Sequence, residues 1–118
     1  MKRDMDLVRE LLLEIDNAPE LDGQRWLPGE NISIEGCSPE EICYHLNMLV
    51  EAGYITGKIA MAMPVISKLT WQGHELLDDI RDPDIWAKTK EKAKAISGIG
   101  IALMWELAKA EIKKKLGI

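Results

Sequence analysis

Cys37, Cys43, His45 and His74 are the residues whose types suit metal binding or thiol chemistry, and on paper they make a set of four zinc ligands. Their spacing opposes it. Five residues separate the two cysteines, so the tight Cys-x-x-Cys hook of structural zinc sites is missing. Cys43 and His45 stand two positions apart, which on a helix turns them about 200 degrees from one another. Cys43 is instead expected as a small core residue. Cys37 is expected as a loop thiol beside a helix start, a setting that can lower a thiol pKa. Nucleophilic catalysis needs a base and an orienting group next to the nucleophile, and no such set is marked. His74-Glu75 with Asp78 and Asp79 reads as the solvated face of a helix. Ser97-Gly98-Ile99-Gly100 is no phosphate loop, because no strand precedes it and no Lys-Ser or Lys-Thr pair follows. The chemistry therefore points away from an enzyme, a metal or any other cofactor.

Recognition chemistry is concentrated in the middle of the chain. Tyr44, His45 and Asn47 follow one another closely, and Asn pairs well with adenine edges. The trio reads either as base-contacting groups or as surface polars around a partly packed tyrosine. Glu40 and Glu41 precede it and Glu51 follows, with no Lys or Arg anywhere in residues 38–53. Two carboxylates at a helix N-terminus stabilise the helix dipole and repel phosphate, so DNA is disfavoured there. Lys58 and Lys68 flank an apolar stretch, Ala60-Met61-Ala62-Met63-Pro64, where a DNA-contacting wing would be basic. Adaptable methionines such as Met61 and Met63 suit a protein partner. Packing of that tip on the last helices is the alternative.

The elements that must position these residues follow from periodicity. Met5, Val8, Leu12 and Ile15, widened by Leu7 and Leu11, predict an amphipathic helix over 4–17. Pro19, Gly23, Pro28 and Gly29 then mark turns around an anchoring Trp26-Leu27. Ile32 and Ile34 alternate with polar neighbours as a short strand closed by Gly36. Ser38-Pro39-Glu40-Glu41 is a helix start, with Ser as cap, Pro first in the helix and Glu three after the cap. Ile42, Leu46, Leu49 and Val50 form the buried face of this second helix, and Gly53 ends it. Residues 54–61 and 65–71 read as a hairpin. Thr70 caps a third helix burying Leu76, Leu77 and Ile80, and Asp82-Pro83 starts a fourth that carries Ile85, Trp86, Ala93 and Ile96. A last helix over 101–116 stops at Gly117.

The chain has 118 residues, 47% hydrophobic and 30% charged, which suits one soluble globular fold. Its net charge of -5 divides unevenly at Pro83: residues 1–82 carry 7 basic and 16 acidic side chains, residues 83–118 carry 8 lysines against 4 acids. Lys88, Lys90, Lys92 and Lys94 alternate and so spread around a helix as a solvated surface, or else meet an acidic partner, a second copy included. No apolar run approaches the roughly 20 residues that span a bilayer. Residues 1–6 turn acidic where a signal peptide would become apolar, and two unpaired cysteines suit a reducing compartment, so a cytoplasmic location is expected. The acidic body also opposes docking on anionic lipid.

Helix, strand, helix, strand, strand, helix is close to the order of a winged helix, an α+β domain. Residues 46–55 resemble the stretch of winged-helix regulators in which the recognition-position helix ends at Gly and the wing begins. Leu69-Thr70-Trp71-Gln72-Gly73-His74 resembles their exit from the wing. Residues 1–9, Tyr44-His45-Leu46 with Glu51-Ala52-Gly53, and Leu69-Thr70-Trp71 with Gly73-His74-Glu75 and Ile80-Arg81-Asp82 resemble a family of small bacterial and prophage proteins described as a domain of unknown function. That resemblance implies a winged-helix-like body and a mobile-element origin, and carries no activity with it. Two features depart from DNA-binding winged helices. One helix stands between the strand at 32–34 and the hairpin where two are usual, and it has no Lys or Arg.

Residues 1–82 are thus read as a winged-helix-like domain, with 83–118 as a helical extension packed on it. The leading expectation is a non-enzymatic regulatory or accessory module working through a protein partner at Glu40, Glu41, Tyr44, His45, Asn47, Met61 and Met63. A DNA-binding transcriptional regulator, using Lys58, Lys68, Lys88 and Lys90, is the alternative. A homodimer is expected on the last helix through Ile101, Met104, Trp105, Ala108 and Ile112, against a monomer in which that helix folds back over the hairpin.

Overall fold

The computed structural model describes every residue except Ser97, so the serine of the glycine-flanked break at 97–100 lies outside the described residues. The described residues form an α+β protein with α-helices α1 (Met5–Asn17), α2 (Pro39–Glu51), α3 (Trp71–Ile80), α4 (Pro83–Ala93) and α5 (Ile101–Leu116). Strands β1 (Leu27–Pro28), β2 (Ile55–Lys58) and β3 (Val65–Leu69) make an antiparallel sheet in the order β1-β3-β2. The chain gathers into two compact units, Met1–His74 and Glu75–Ile118. Their division falls inside α3, upstream of the Pro83 boundary that charge suggests.

In the first unit, Asp4 caps α1 by accepting the N–H groups of Asp6 and Leu7 at 3.0 and 3.2 Å. Leu7, Leu11, Leu12 and Ile15 then bury one face, the stripe that helical spacing predicts. At α2, Ser38 Oγ accepts the Glu41 N–H and Glu41 Oε1 accepts the Ser38 N–H, both at 3.1 Å, a reciprocal capping box. Ile42, Leu46 and Leu49 complete the core with Tyr54, Ile55, Ile66 and Leu69. Each fully buried Leu or Ile side chain contributes about 1.5–3 kcal/mol. The chain leaves α2 through Gly53 at φ +85°, the left-handed geometry expected of it.

The first strand is not where alternation places it. Residues 32–34 form no strand, and Leu27 and Pro28 pair with Ile66 and Val65 instead. An edge of β3 accepts one partner, and Pro28, which has no N–H to donate, is tolerated on an edge strand. Ile32 and Ile34 still half-bury one side, so their alternation is real while their ladder is absent. The hairpin is also shorter than expected, pairing Ile55 with Leu69 and Lys58 with Val65. Thr70 ends it: its Oγ1 accepts the Gly73 N–H at 3.0 Å and donates to the Gly53 carbonyl at 2.6 Å, so the cap of α3 is tied to the end of α2.

In the second unit, Asp82 caps α4 by accepting the Asp84 and Ile85 N–H groups at 2.8 and 3.1 Å, with Pro83 first in the helix. Ile85, Trp86 and Ala93 are buried, and buried Thr89 donates to the Ile85 carbonyl. Helix α4 stops at Ala93, so Ile96, expected on its apolar face, is exposed beyond its end. Helices α4 and α5 pack together. Met104 is 2% exposed and Ala108 is fully buried within the single chain, so these two are unavailable to the dimer face expected on α5. Ile101, Trp105 and Ile112 are half-buried, and Trp105 Nε1 donates to Asp79 at 2.7 Å.

Candidate interaction site

Helix α2 has two faces because its apolar and polar residues keep different helical registers. Ile42, His45, Leu46 and Leu49 turn inward. Glu40, Cys43, Tyr44 and Asn47, at i, i+3, i+4 and i+7, share the opposite stripe and line an open groove with Glu30, Pro39 and the hairpin tip Met61-Ala62-Met63. The tip is tethered to that stripe: the Cys43 thiol donates to the Ala62 carbonyl, and Asn47 Nδ2 donates to the Ala60 carbonyl at 3.1 Å. Met61 is fully exposed, whereas Met63 is half-buried against Gly29.

Five of the seven residues expected at an interaction surface meet here: Glu40, Tyr44, Asn47, Met61 and Met63. Two do not. His45 is 1% exposed, with Nε2 accepting the Asp4 N–H at 2.8 Å and Nδ1 donating to the Glu41 carbonyl at 2.7 Å, so it can read neither a base nor a partner. Glu41 is engaged in the capping box. Cys43 was expected in the core but sits half-buried on the groove wall. Glu30 and Pro39 were missed as well. The i, i+3, i+4, i+7 spacing of residues 40, 43, 44 and 47 carried a signal for the stripe, whereas Glu30 reaches it only through the one-turn 3-10 helix Gly29–Asn31.

The groove is acidic. Glu30 and Glu40 are exposed and, among the described residues, neither is ion-paired. Among the described residues Asn47 Oδ1 is buried without a hydrogen-bond partner, while the amide nitrogen donates to Ala60. Cys37, a loop thiol in a setting that can lower a thiol pKa, is pushed the other way by desolvation and then by the Glu41 and Asp4 carboxylates, which all disfavour a thiolate.

The cations are placed differently. Lys58 Nζ stands 5.1 Å from the ring centre of half-exposed Trp26, and the Lys68 stem lies against Gly23. In the second unit Lys88 pairs with Asp84, Lys94 with Glu91, Lys109 with Glu106 and Lys115 with Asp82. Lys90 is half-buried and also has an interaction of its own. Lys92 grips the buried Glu111 carboxylate, which Lys114 also approaches at 3.8 Å. Elsewhere, His74 Nδ1 lies 3.7 Å from Asp16 in a cleft that Lys68 and Asp22 share. Among the described residues no three of His, Cys, Asp and Glu converge as a metal site, and no helix is long and apolar enough to cross a membrane.

The chain belongs to the family described as Hypothetical protein (DUF2513), which it matches over residues 2–100. It is 37% identical over 101 residues to a protein of Haemophilus influenzae (strain ATCC 51907 / DSM 11121 / KW20 / Rd) described as an uncharacterized protein, with 82% of each chain covered. No solved structure matches it.

Proposed function

We propose that this DUF2513 member is a non-enzymatic regulatory or accessory module of a mobile element, built on a winged-helix scaffold and acting through protein contacts. The scaffold reading is supported by the chain order α1, β1, α2, β2, β3, α3, by the sheet order β1-β3-β2 and by the packing of β2 on α2. The mobile-element part rests on the sequence resemblance alone. The observation that carries the mode of action is the groove, which brings the exposed carboxylates of Glu30 and Glu40 beside an apolar hairpin tip.

Electrostatic magnitude supports the protein reading over the DNA reading. Duplex affinity rises with the number of phosphates neutralised, and specific binders make about 6–10 such contacts. The first unit offers Lys58 and Lys68 around the hairpin, with carboxylates on the adjoining helix. Two contacts give a salt slope of about -2, too shallow for useful affinity at physiological salt. The Lys58–Trp26 pair is the feature that favours the opposing reading, a DNA-binding regulator. Fluorescence anisotropy of a labelled mixed-sequence duplex at low salt tests the two. The protein-contact reading expects no binding; tight binding that weakens steeply with salt overturns it.

A further inference from the structure

We infer that the acidic groove between α2 and the hairpin tip receives residues 113–118 of a second copy of this chain, an inference that rests on the protein-contact reading. The groove presents negative charge and hydrogen-bond acceptors beside apolar surface: Glu30 and Glu40 line it together with Tyr44, Met61 and Met63. Among the described residues no cation lines it. Its complement is a short segment in which ammonium groups stand next to apolar side chains.

The chain carries that chemistry at 113–118, Lys-Lys-Lys-Leu-Gly-Ile. Leu116 is 67% exposed and Ile118 83%, an apolar pair left in water immediately after three lysines. Lys113 has no ion pair among the described residues, and the partners of Lys114 and Lys115 lie at 3.6 Å or beyond, loose enough to exchange. Gly117 at φ +77° ends α5 and turns the last residues off the helix axis. Charge separation along the chain favours association between copies, because residues 1–82 are strongly acidic and residues 83–118 basic. The groove and the tail are different surfaces, so the contact is heterologous, and one short segment in one groove makes a weak, reversible association.

Sedimentation equilibrium of the full chain at rising concentration, in low and high salt, reads the association. A synthetic peptide of residues 109–118 is titrated in parallel, with amide shifts followed in the NMR spectrum. The inference expects a dimer at low salt that dissociates as salt rises, with peptide-induced shifts at Tyr44, Asn47 and residues 61–63. The double variant E30Q/E40Q, both positions being exposed, is expected to keep the fold and weaken association and peptide binding roughly tenfold. L116S/I118S is expected to weaken association without touching the groove.

A chain that stays monomeric with unmoved groove resonances overturns the inference, as does a dimer insensitive to E30Q/E40Q and to the peptide. Either result without DNA binding leaves the protein-contact reading standing, whereas steeply salt-dependent DNA binding removes that reading itself.

Discussion

His45 on α2 and Asp4 at the cap of α1, 41 residues apart, are joined by one hydrogen bond, the Asp4 backbone N–H donating to His45 Nε2 at 2.8 Å. A backbone N–H only donates, so Nε2 is the acceptor and the ring proton sits on Nδ1, facing the Glu41 carbonyl. The ring therefore latches the start of one core helix onto the other. His45→Ala removes buried volume and leaves the Asp4 N–H without its partner, an expected loss of about 2–4 kcal/mol. Urea denaturation measures it, and hydrogen exchange should show the α1 amides opening first. An unchanged midpoint would mean that the latch contributes nothing to stability.

Gly73 should be the least replaceable glycine. A Cβ there would stand 2.1 Å from the Tyr54 carbonyl oxygen, which also accepts the Thr70 N–H. Helix α3 can begin where it does only because nothing projects from this position. Gly73→Ala is expected to cost about 3 kcal/mol by overpacking against backbone. Gly53→Ala, with open space but φ +85°, should cost about 1–2 kcal/mol. The two urea midpoints test the ordering, and the reverse order would show that the Tyr54 backbone yields readily.

Acid should loosen the second unit. The Glu111 carboxyl is held below its usual range first by the hydrogen bond from Lys92, with burial opposing, and Asp82 is held low first by the Ile85 N–H, with the Asp84 N–H and Lys115 adding to it. A carboxyl lowered on folding stabilises above its unfolded pKa and loses that contribution as pH falls through the folded one. Lys92 is raised first by Glu111 while its neighbour Lys114 is lowered first by Lys92, so the two lysines oppose one another at alkaline pH and the acid limb is the one that reports the cluster. Thermal midpoints should therefore fall below about pH 4. Glu111→Gln should flatten this limb relative to the parent; a limb that survives it would assign the dependence elsewhere.

Cys37 should be a slow nucleophile at neutral pH. Its thiol is held protonated by desolvation and by the Glu41 and Asp4 carboxylates. Iodoacetamide labelling, read by mass spectrometry, is expected to rise with pH later than for free cysteine. Glu41→Gln should move the curve toward lower pH. Labelling as fast as a free thiol at neutral pH would contradict the described environment.

What was legible in the chain was what nearest neighbours decide. Ser38-Pro39-Glu40-Glu41 and Asp82-Pro83 mark the starts of α2 and α4 because capping acts within one turn, and Gly53 and Gly117 mark ends because only a left-handed residue lets the chain leave there. The strand expected at 32–34 failed for the opposite reason. Alternation shows that a segment has a wet and a dry side, but a ladder needs an edge, and the β3 edge was taken by Leu27 and Pro28. Half of the candidate site was similarly readable: residues 40, 43, 44 and 47 share a stripe by helical arithmetic alone.

The sequence by itself determined the helices of this protein, the caps that bound them and the acidic character of the α2 surface, since each depends on residues within a turn or on charges no fold can alter. Only the tertiary structure decided which polar side chains are available. His45 and Asn47 lie two positions apart with the same recognition chemistry, yet one is sealed beneath the Asp4 amide and the other lines a groove closed by the hairpin tip. Their fates follow from contacts 41 and 13 residues away, and packing over such distances is a property of the folded chain as a whole.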